Sequence, residues 1–192
     1  CRGVMGCAGE YRRRSTDDGA AVTFRPRALC INLPRKDDNR AFIASEWSRH
    51  ADVEFYPAGP SATASHTAIL LRAWKERDSI TYPFVVMEDD VYRVGDFTRY
   101  WNRLPELRGA DYVCFDAMFL RFGKKRADPF VALDEHRAMG LNVYYRSFFD
   151  RFATARELER CIGRTVDMQM THDRRLGKWT PAAQAGRQVV GQ

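Results

Sequence analysis

Three consecutive carboxylates, Glu88, Asp89 and Asp90, stand directly behind the apolar run Phe84-Val85-Val86-Met87. An uninterrupted apolar run of that length reads as a strand covered on both faces. Side chains alternate along a strand, so Glu88 and Asp90 are expected on one side and Asp89 on the other. Open α/β sheets bind ligands at the carboxyl ends of their strands, and hard carboxylate oxygens there suit Mg²⁺ or Mn²⁺ completed by substrate phosphates. The competing reading is a solvated acidic turn that does no more than end a core strand. Two other functions stay open on the residues alone. Glu88 and Asp90 with Asp116 would serve a metal-dependent phosphohydrolase or nuclease, and Arg and Lys beside aromatics between Phe119 and Lys125 would serve a nucleic-acid-binding module.

The elements that must position these acids follow from periodicity. Ala28 to Leu33 is a short apolar run stopped by Pro34, the expected first strand, and a charged helix is expected from about Asp38 to Arg49. Val53 to Tyr56 alternates as a second strand closed by Pro57, Gly59 and Pro60. From Ser61 the period changes, and His66, Ile69, Leu70, Ala73, Trp74 and Arg77 fall on one helix face. His66 is thus read either as a buried core histidine or as a residue beside the ligand. Asp96 to Leu107 reads as a helix interrupted near Pro105, Tyr112 to Phe115 as a strand, and Phe130–Leu133 and Gly140–Tyr145 as short, antiparallel additions. Ser147 is the expected N-cap of one long helix that buries Phe148, Phe149, Phe152, Ala155, Leu158 and Ile162 and stops at Gly163. A further helical turn is expected near Asp167, and a tail or loop from Thr180. Alternating strands and helices indicate an α/β sheet.

The chain has 192 residues, with 45% hydrophobic and 29% charged, which excludes disordered, collagen-like and coiled-coil classes. Residues 1–26 read as a poorly ordered or late-packing arm, and 27–192 as a single domain. The net charge of +6 suits an anionic ligand such as a nucleotide diphosphate, but also nucleic acid or an acidic glycan. Five cysteines without a CxxC pair argue against a disulfide framework or structural zinc, and no stretch has the roughly 20 apolar residues of a membrane span. The expected location is cytoplasmic or peripheral to a membrane.

Ile31-Asn32-Leu33-Pro34-Arg35-Lys36-Asp37-Asp38-Asn39-Arg40 resembles the opening motif of family 25 glycosyltransferases, the lipooligosaccharide and collagen galactosyltransferase type. Ser65-His66 with Leu70 and Trp74 resembles their Ser-His helix, and Val86 to Val91 their Glu-Asp-Asp motif. Gly140 with Tyr144 or Tyr145, and Val166-Asp167, fall in the family's order. The ordered set runs from about Ala28 to Asp167, although Ser61-Ala62-Thr63-Ala64 stands where the family usually has Gly and Cys before Ser-His.

The resemblance implies a GT-A-like, Rossmann-like mixed sheet flanked by helices, and a metal-dependent transfer of a hexose from a nucleotide sugar, expected to be a UDP-sugar. The acceptor would be a hydroxyl of a glycan or glycoprotein, with inversion and without nucleic acid. It implies that Asn32, Leu33, Arg35, Arg40, His66, Glu88, Asp89 and Asp90 approach the donor and that Asp90, with Glu88, holds the Mn²⁺ or Mg²⁺. His172, shortly before Gly177-Lys178-Trp179, loosely resembles the late metal-binding histidine of other GT-A enzymes. The resemblance also points to Asp167 as the base for the acceptor hydroxyl, against an ordinary N-cap, with Asp173 and Asp116 in reserve. Trp179 is a candidate for stacking on an acceptor sugar, or a core aromatic.

Overall fold

The computed structural model describes residues 21–33, 37–93, 97–116, 118–137, 140–163, 175–182 and 190–191. Its centre is a mixed eight-stranded sheet with helices packed against it. β1 (Arg27–Asn32), β2 (Asp52–Pro57) and β3 (Phe84–Glu88) form a parallel unit, and their crossovers are α1 (Asp37–Trp47) and α2 (Ala62–Lys75). This is the Rossmann-like half. The chain continues through β4 (Tyr92–Arg93), α3 (Phe97–Arg103), a 3₁₀ turn at Leu104–Glu106, β5 (Tyr112–Cys114), β6 (Met118–Ala127), β7 (Phe130–Arg137) and β8 (Leu141–Tyr144). It ends with α4 (Arg146–Asp150), α5 (Ala155–Ile162), β9 (Lys178–Pro181) and β10 (Val190–Gly191). The strand order is β2-β1-β3-β8-β5-β9-β7-β6, with β4 and β10 paired separately.

Local sequence accounts for the helices next to the site. Ser61 caps α2, its hydroxyl accepting from the Ala64 N–H at 3.1 Å, and His66, Ile69, Leu70 and Ala73 repeat along the buried face. α1 carries Asp37 and Asp38 in its first turn, where the helix dipole favours acid, and buries Ile43 and Trp47. The sheet separates two apolar layers. Trp47, Phe97, Trp101 and Phe115 pack on the α1 side, with Trp47–Phe97 and Phe97–Trp101 ring centroids 5.2 and 5.1 Å apart. Leu29, Ile69, Tyr112, Tyr144, Phe148 and Ile162 pack on the α2 side.

Several expectations change. β8 joins the sheet antiparallel, as expected, and its place is between β3 and β5, with Met87 opposite Leu141 and Cys114 opposite Asn142. The expected long helix is two helices, because Thr154 starts α5 with a capping box to Glu157, and Ser147 instead donates its hydroxyl to the Ala110 carbonyl. Gly163, at φ +67°, ends α5 as expected. The region from Thr180 is not simply a tail, since β9 runs to Pro181 within the sheet and β10 pairs with β4. β6 was not legible as a strand. Residues 21–26 run against α3: the Thr23 N–H donates to Asn102 Oδ1, and Trp101 Nε1 donates to the Phe24 carbonyl. The expected turn at Asp167 lies outside the described residues. Among those residues, no helix is long and apolar enough to cross a membrane.

Candidate functional site

β1 and β3 are parallel, and β3 and β5 are both antiparallel to β8, so the carboxyl ends of all three and the start of β8 share one edge. That edge gathers Asn32 and Leu33, Glu88 to Asp90, Asp116 and Gly140. The N-terminal halves of α1 and α2 reach it with Asn39 and His66.

Alternation divides the acidic triplet. Glu88 turns toward α2, where its Oε1 lies 3.4 Å from Nε2 of the fully buried His66. Its own backbone N–H donates to the Gly140 carbonyl at 2.7 Å. No other hydrogen-bond partner of the His66 ring is found among the described residues, and Nδ1 is buried. The arrangement therefore favours the tautomer in which Nε2–H donates to Glu88. Ser65, one residue earlier, accepts from the Gly59 N–H at 2.8 Å and donates to the Ser61 carbonyl at 3.0 Å, fixing the turn that delivers His66.

Asp89 turns the other way and is 4% exposed. Its Oδ2 accepts from Asn32 Nδ2 at 2.8 Å and from the Leu33 N–H at 2.9 Å, while Oδ1 lies 3.5 Å from Asn39 Nδ2. Asp90 is exposed between two buried neighbours, Asp89 and Val91, and the Val91 carbonyl accepts from Trp47 Nε1 at 3.3 Å. Asp90 is thus an exposed residue between two buried ones. The three acids also impose a local negative field: burial first, then the Asp89, Asp90 and Glu88 carboxylates, pushes the Cys30 thiol well above the ordinary thiol range.

Asp116 has a different place. It is 2% exposed; Oδ2 accepts from the Gly140 N–H at 2.6 Å, and Oδ1 from the Leu141 N–H at 3.2 Å and the Cys114 thiol at 3.3 Å. Burial raises its pKa against the pull of those backbone N–H groups. Asp116 staples β5 to β8, and through Gly140 it steadies Glu88. Nothing in this geometry favours it as a third metal ligand or as a base.

Arg40 is exposed and stands over the Phe55 ring, 4.5 Å from its centroid, on the β2 side of α1. Trp179 is 6% exposed and belongs to the core. Arg121, Lys124, Lys125 and Arg126 lie on β6, the end strand of the sheet, away from the acidic edge in strand order. Arg35, Lys36, Asp167, His172 and Asp173 lie outside the described residues. Among those described, no group of three or more His, Cys, Asp or Glu side chains is arranged to hold a metal ion. Glu88, half-buried against His66, and Asp90, exposed, are the carboxylates of this edge that Asp89 and Asp116 leave open to other roles. Sequence reading missed Asn39 and the bonding role of Ser65. Asn39 sits among charged residues in Asp37-Asp38-Asn39-Arg40 and reads there as part of a solvated helix face.

No protein-family model matches the chain, and no curated protein matches it. Among solved structures it is similar to A197 from STIV, with 12% identity and a TM-score of 0.51 over 82% of each chain. It is also similar to a glycosyltransferase involved in the glycosylation of the major capsid of PBCV-1, with 13% identity and a TM-score of 0.35 over 73% of this chain and 68% of that one. The first likeness bears on the fold alone. The second is too distant to bear on chemistry.

Proposed function

We propose that the chain is a metal-dependent glycosyltransferase that moves a hexose from a nucleotide sugar, a UDP-sugar, to a hydroxyl of a glycan or glycoprotein with inversion. The observation that carries this reading is the division at the end of β3, where Glu88 is held by His66 and Gly140 while Asp90 is exposed at the carboxyl edge. The motif order from Ile31 to Asp167 supports the same reading. Family 25 membership and the UDP preference rest on that order alone.

Asp90 is the leading ligand for Mn²⁺ or Mg²⁺, with Glu88 at its side or on the donor ribose, and His172 is the candidate third ligand. Such a cation, when bound, offsets the charge that builds on the departing nucleoside diphosphate. Asn32 and Leu33, at the end of β1, would meet the nucleoside, and Arg35 would supplement the positive charge. In the transfer, the acceptor oxygen forms its bond to the anomeric carbon as the bond from that carbon to the diphosphate oxygen breaks, and the hydroxyl proton passes to the Asp167 carboxylate. The Asp167 role rests on the resemblance.

The test is a thermal-shift and calorimetric panel of UDP, GDP, CMP and their sugars with and without Mn²⁺, because a selective ligand stabilises the folded state by mass action. Selective, Mn²⁺-dependent binding of one nucleoside diphosphate is expected. Asp90→Asn should weaken it by about 100-fold or more with an unchanged melting temperature, since the substitution removes a ligand charge and no packing. Equal affinity in a folded Asp90→Asn protein would overturn the metal assignment. Absence of any nucleotide binding by the unaltered protein would overturn the reading itself.

A further inference from the structure

We infer that Asp89, the middle acid of the triplet, is a positioning residue: its buried carboxylate clasps the end of β1 to the end of β3 and so sets Leu33 at the mouth of the donor site. The inference rests on the nucleotide-sugar reading and assigns Asp89 a role different from direct contact with the donor.

The backbone arrangement calls for such a clasp. The ladder between β1 and β3 ends at Ile31 opposite Glu88, and that between β1 and β2 ends at Asn32 opposite Pro57. Leu33 lies beyond both ladders, so neither neighbouring strand supplies a partner for its N–H. Asp89 Oδ2 supplies it at 2.9 Å and also takes the Asn32 amide at 2.8 Å. Hydrogen bonds to an ionised carboxylate are the stronger kind, and two of them on one oxygen from adjacent residues fix both position and direction. Asn39 at 3.5 Å brings the first turn of α1 to the other oxygen. A carboxylate that is 4% exposed and so engaged is poorly placed to meet a cation or a ribose as well.

The group held in place has a use. Leu33, 47% exposed, is the one exposed large hydrophobic residue among those described, and it sits beside the acidic edge. A fixed apolar side chain at that point offers a surface for the flat, weakly hydrated face of a nucleoside while the adjoining carboxylates deal with the diphosphate end. Preorganising such a contact improves affinity by reducing the ordering needed on binding.

The experiment compares Asp89→Asn with Asp89→Ala. Both remove the charge equally, so any long-range effect on a bound cation is common to the two. Asn retains an oxygen that accepts from Asn32 and Leu33, and the Asn39 amide meets its NH₂ group after a flip; Ala retains neither. The readouts are the Kd for UDP with Mn²⁺ below the melting transition, and hydrogen exchange of the Leu33 amide. The Ala variant should bind about 10-fold more weakly than the Asn variant and exchange the Leu33 amide about 10-fold faster, the size of one lost neutral hydrogen bond. Equal losses in the two variants would show that the charge itself meets the ligand and would overturn the inference. An Ala variant that melts earlier yet binds as well as the Asn variant would reduce the clasp to stability and also overturn it. If the Ala protein does not fold, Asn32→Ala removes one arm of the clasp and exchange of the Leu33 amide alone is compared: faster exchange than in the unaltered protein is expected, and unchanged exchange overturns the inference. Failure of the nucleotide-sugar reading has its own signature, an unaltered protein that binds no nucleoside diphosphate while the Leu33 amide stays protected.

Discussion

In β1 and β3, Ala28 to Ile31 and Phe84 to Met87 are all buried and apolar, and polar side chains appear only at the strand ends. In β7 and β9 the polar groups lie inside the strands: His136, Lys178 and Thr180 are 2%, 3% and 0% exposed. Lys178 Nζ donates to the Asp134 carbonyl at 2.6 Å, and His136 Nε2 lies 3.4 Å from the Tyr112 hydroxyl. The two inner strands of the parallel half carry polar side chains only at their ends, and at the carboxyl ends Glu88 is half-buried and Asp90 exposed. The antiparallel half uses buried polar groups to join its own strands. Burial of polar groups is tolerated only where each finds a partner, so the second half depends on backbone placement more than on side-chain volume.

The largest effect on that contrast is expected from Gly177→Ala. A Cβ at Gly177 would fall 2.5 Å from the Gly109 carbonyl oxygen, a backbone atom that cannot swing aside. The same residue donates its N–H to Asp111 Oδ2 at 2.5 Å and its carbonyl accepts from the Asp111 N–H at 2.7 Å, so β9 and β5 would both shift. Overpacking of this kind costs about 1–3 kcal/mol, or on the order of 2–12 °C in melting temperature for a chain of this size. Nucleotide affinity well below the transition should hardly change, because the acidic edge belongs to the other half. A melting temperature within a degree of the unaltered protein would show that β9 has room that the structure denies it.

The same contrast decides how much could be read from the sequence. β1 and β3 are legible because burial on both faces demands continuous apolar runs, and the acids stand out as the point where the run breaks. The helices are legible where one face repeats, as from His66 to Ala73. β6 hides because Arg121, Lys124, Lys125 and Arg126 break both the apolar run and the alternation, and β9 hides because Lys178 and Thr180 look like surface residues until a partner strand supplies their bonds. The split between Glu88 and Asp89 was legible from period two. The partners were not: the Asp89 clasp joins residues 56 and 57 positions apart, and nothing in the local pattern of either segment announces it. Asp167 and His172 remain readings of the sequence.

A smaller effect comes from His136. Burial, and then the nearby Lys178 charge, lower its pKa to about 3. The unfolded chain takes up a proton on this ring as pH falls below about 6.5, whereas the folded protein does not until about pH 3. Stability is therefore lost as pH falls through that window, by up to about 1.4 kcal/mol per pH unit. Asp116 works the other way: its raised folded pKa means that the folded state holds its proton above the ordinary carboxylate range, so its contribution declines as pH rises. His136→Gln should flatten the fall in melting temperature between pH 6.5 and 4.5 relative to the unaltered protein, whatever its effect at neutral pH. Parallel curves for the two proteins would mean that the ring becomes protonated in place.

The smallest effect is expected at the outer edge of the antiparallel half. Phe122 pairs with Leu133 and Arg126 with Val131, so Gly123, Lys124 and Lys125 on β6 face the single residue Ala132 on β7. This bulge leaves Lys124 and Lys125 exposed, and it is closed by Arg126, whose Nη1 donates to the Gly123 and Lys125 carbonyls at 2.9 and 3.3 Å. Bulges and lysines on an edge strand prevent pairing with other chains, a role that needs no ligand. Replacing Lys124 and Lys125 together with Ala removes two charges but leaves Arg126 and the bulge backbone in place. Melting temperature should correspond to less than about 0.5 kcal/mol of change, and Mn²⁺-dependent nucleotide affinity should be unaltered, because these residues touch neither the core nor the acidic rim. The outcome that would break the division of labour between the halves is specific. If the unaltered protein binds random oligonucleotides with an affinity that falls steeply with salt, and the double variant loses it, the functional surface is the antiparallel edge and the acids at β3 are a solvated turn.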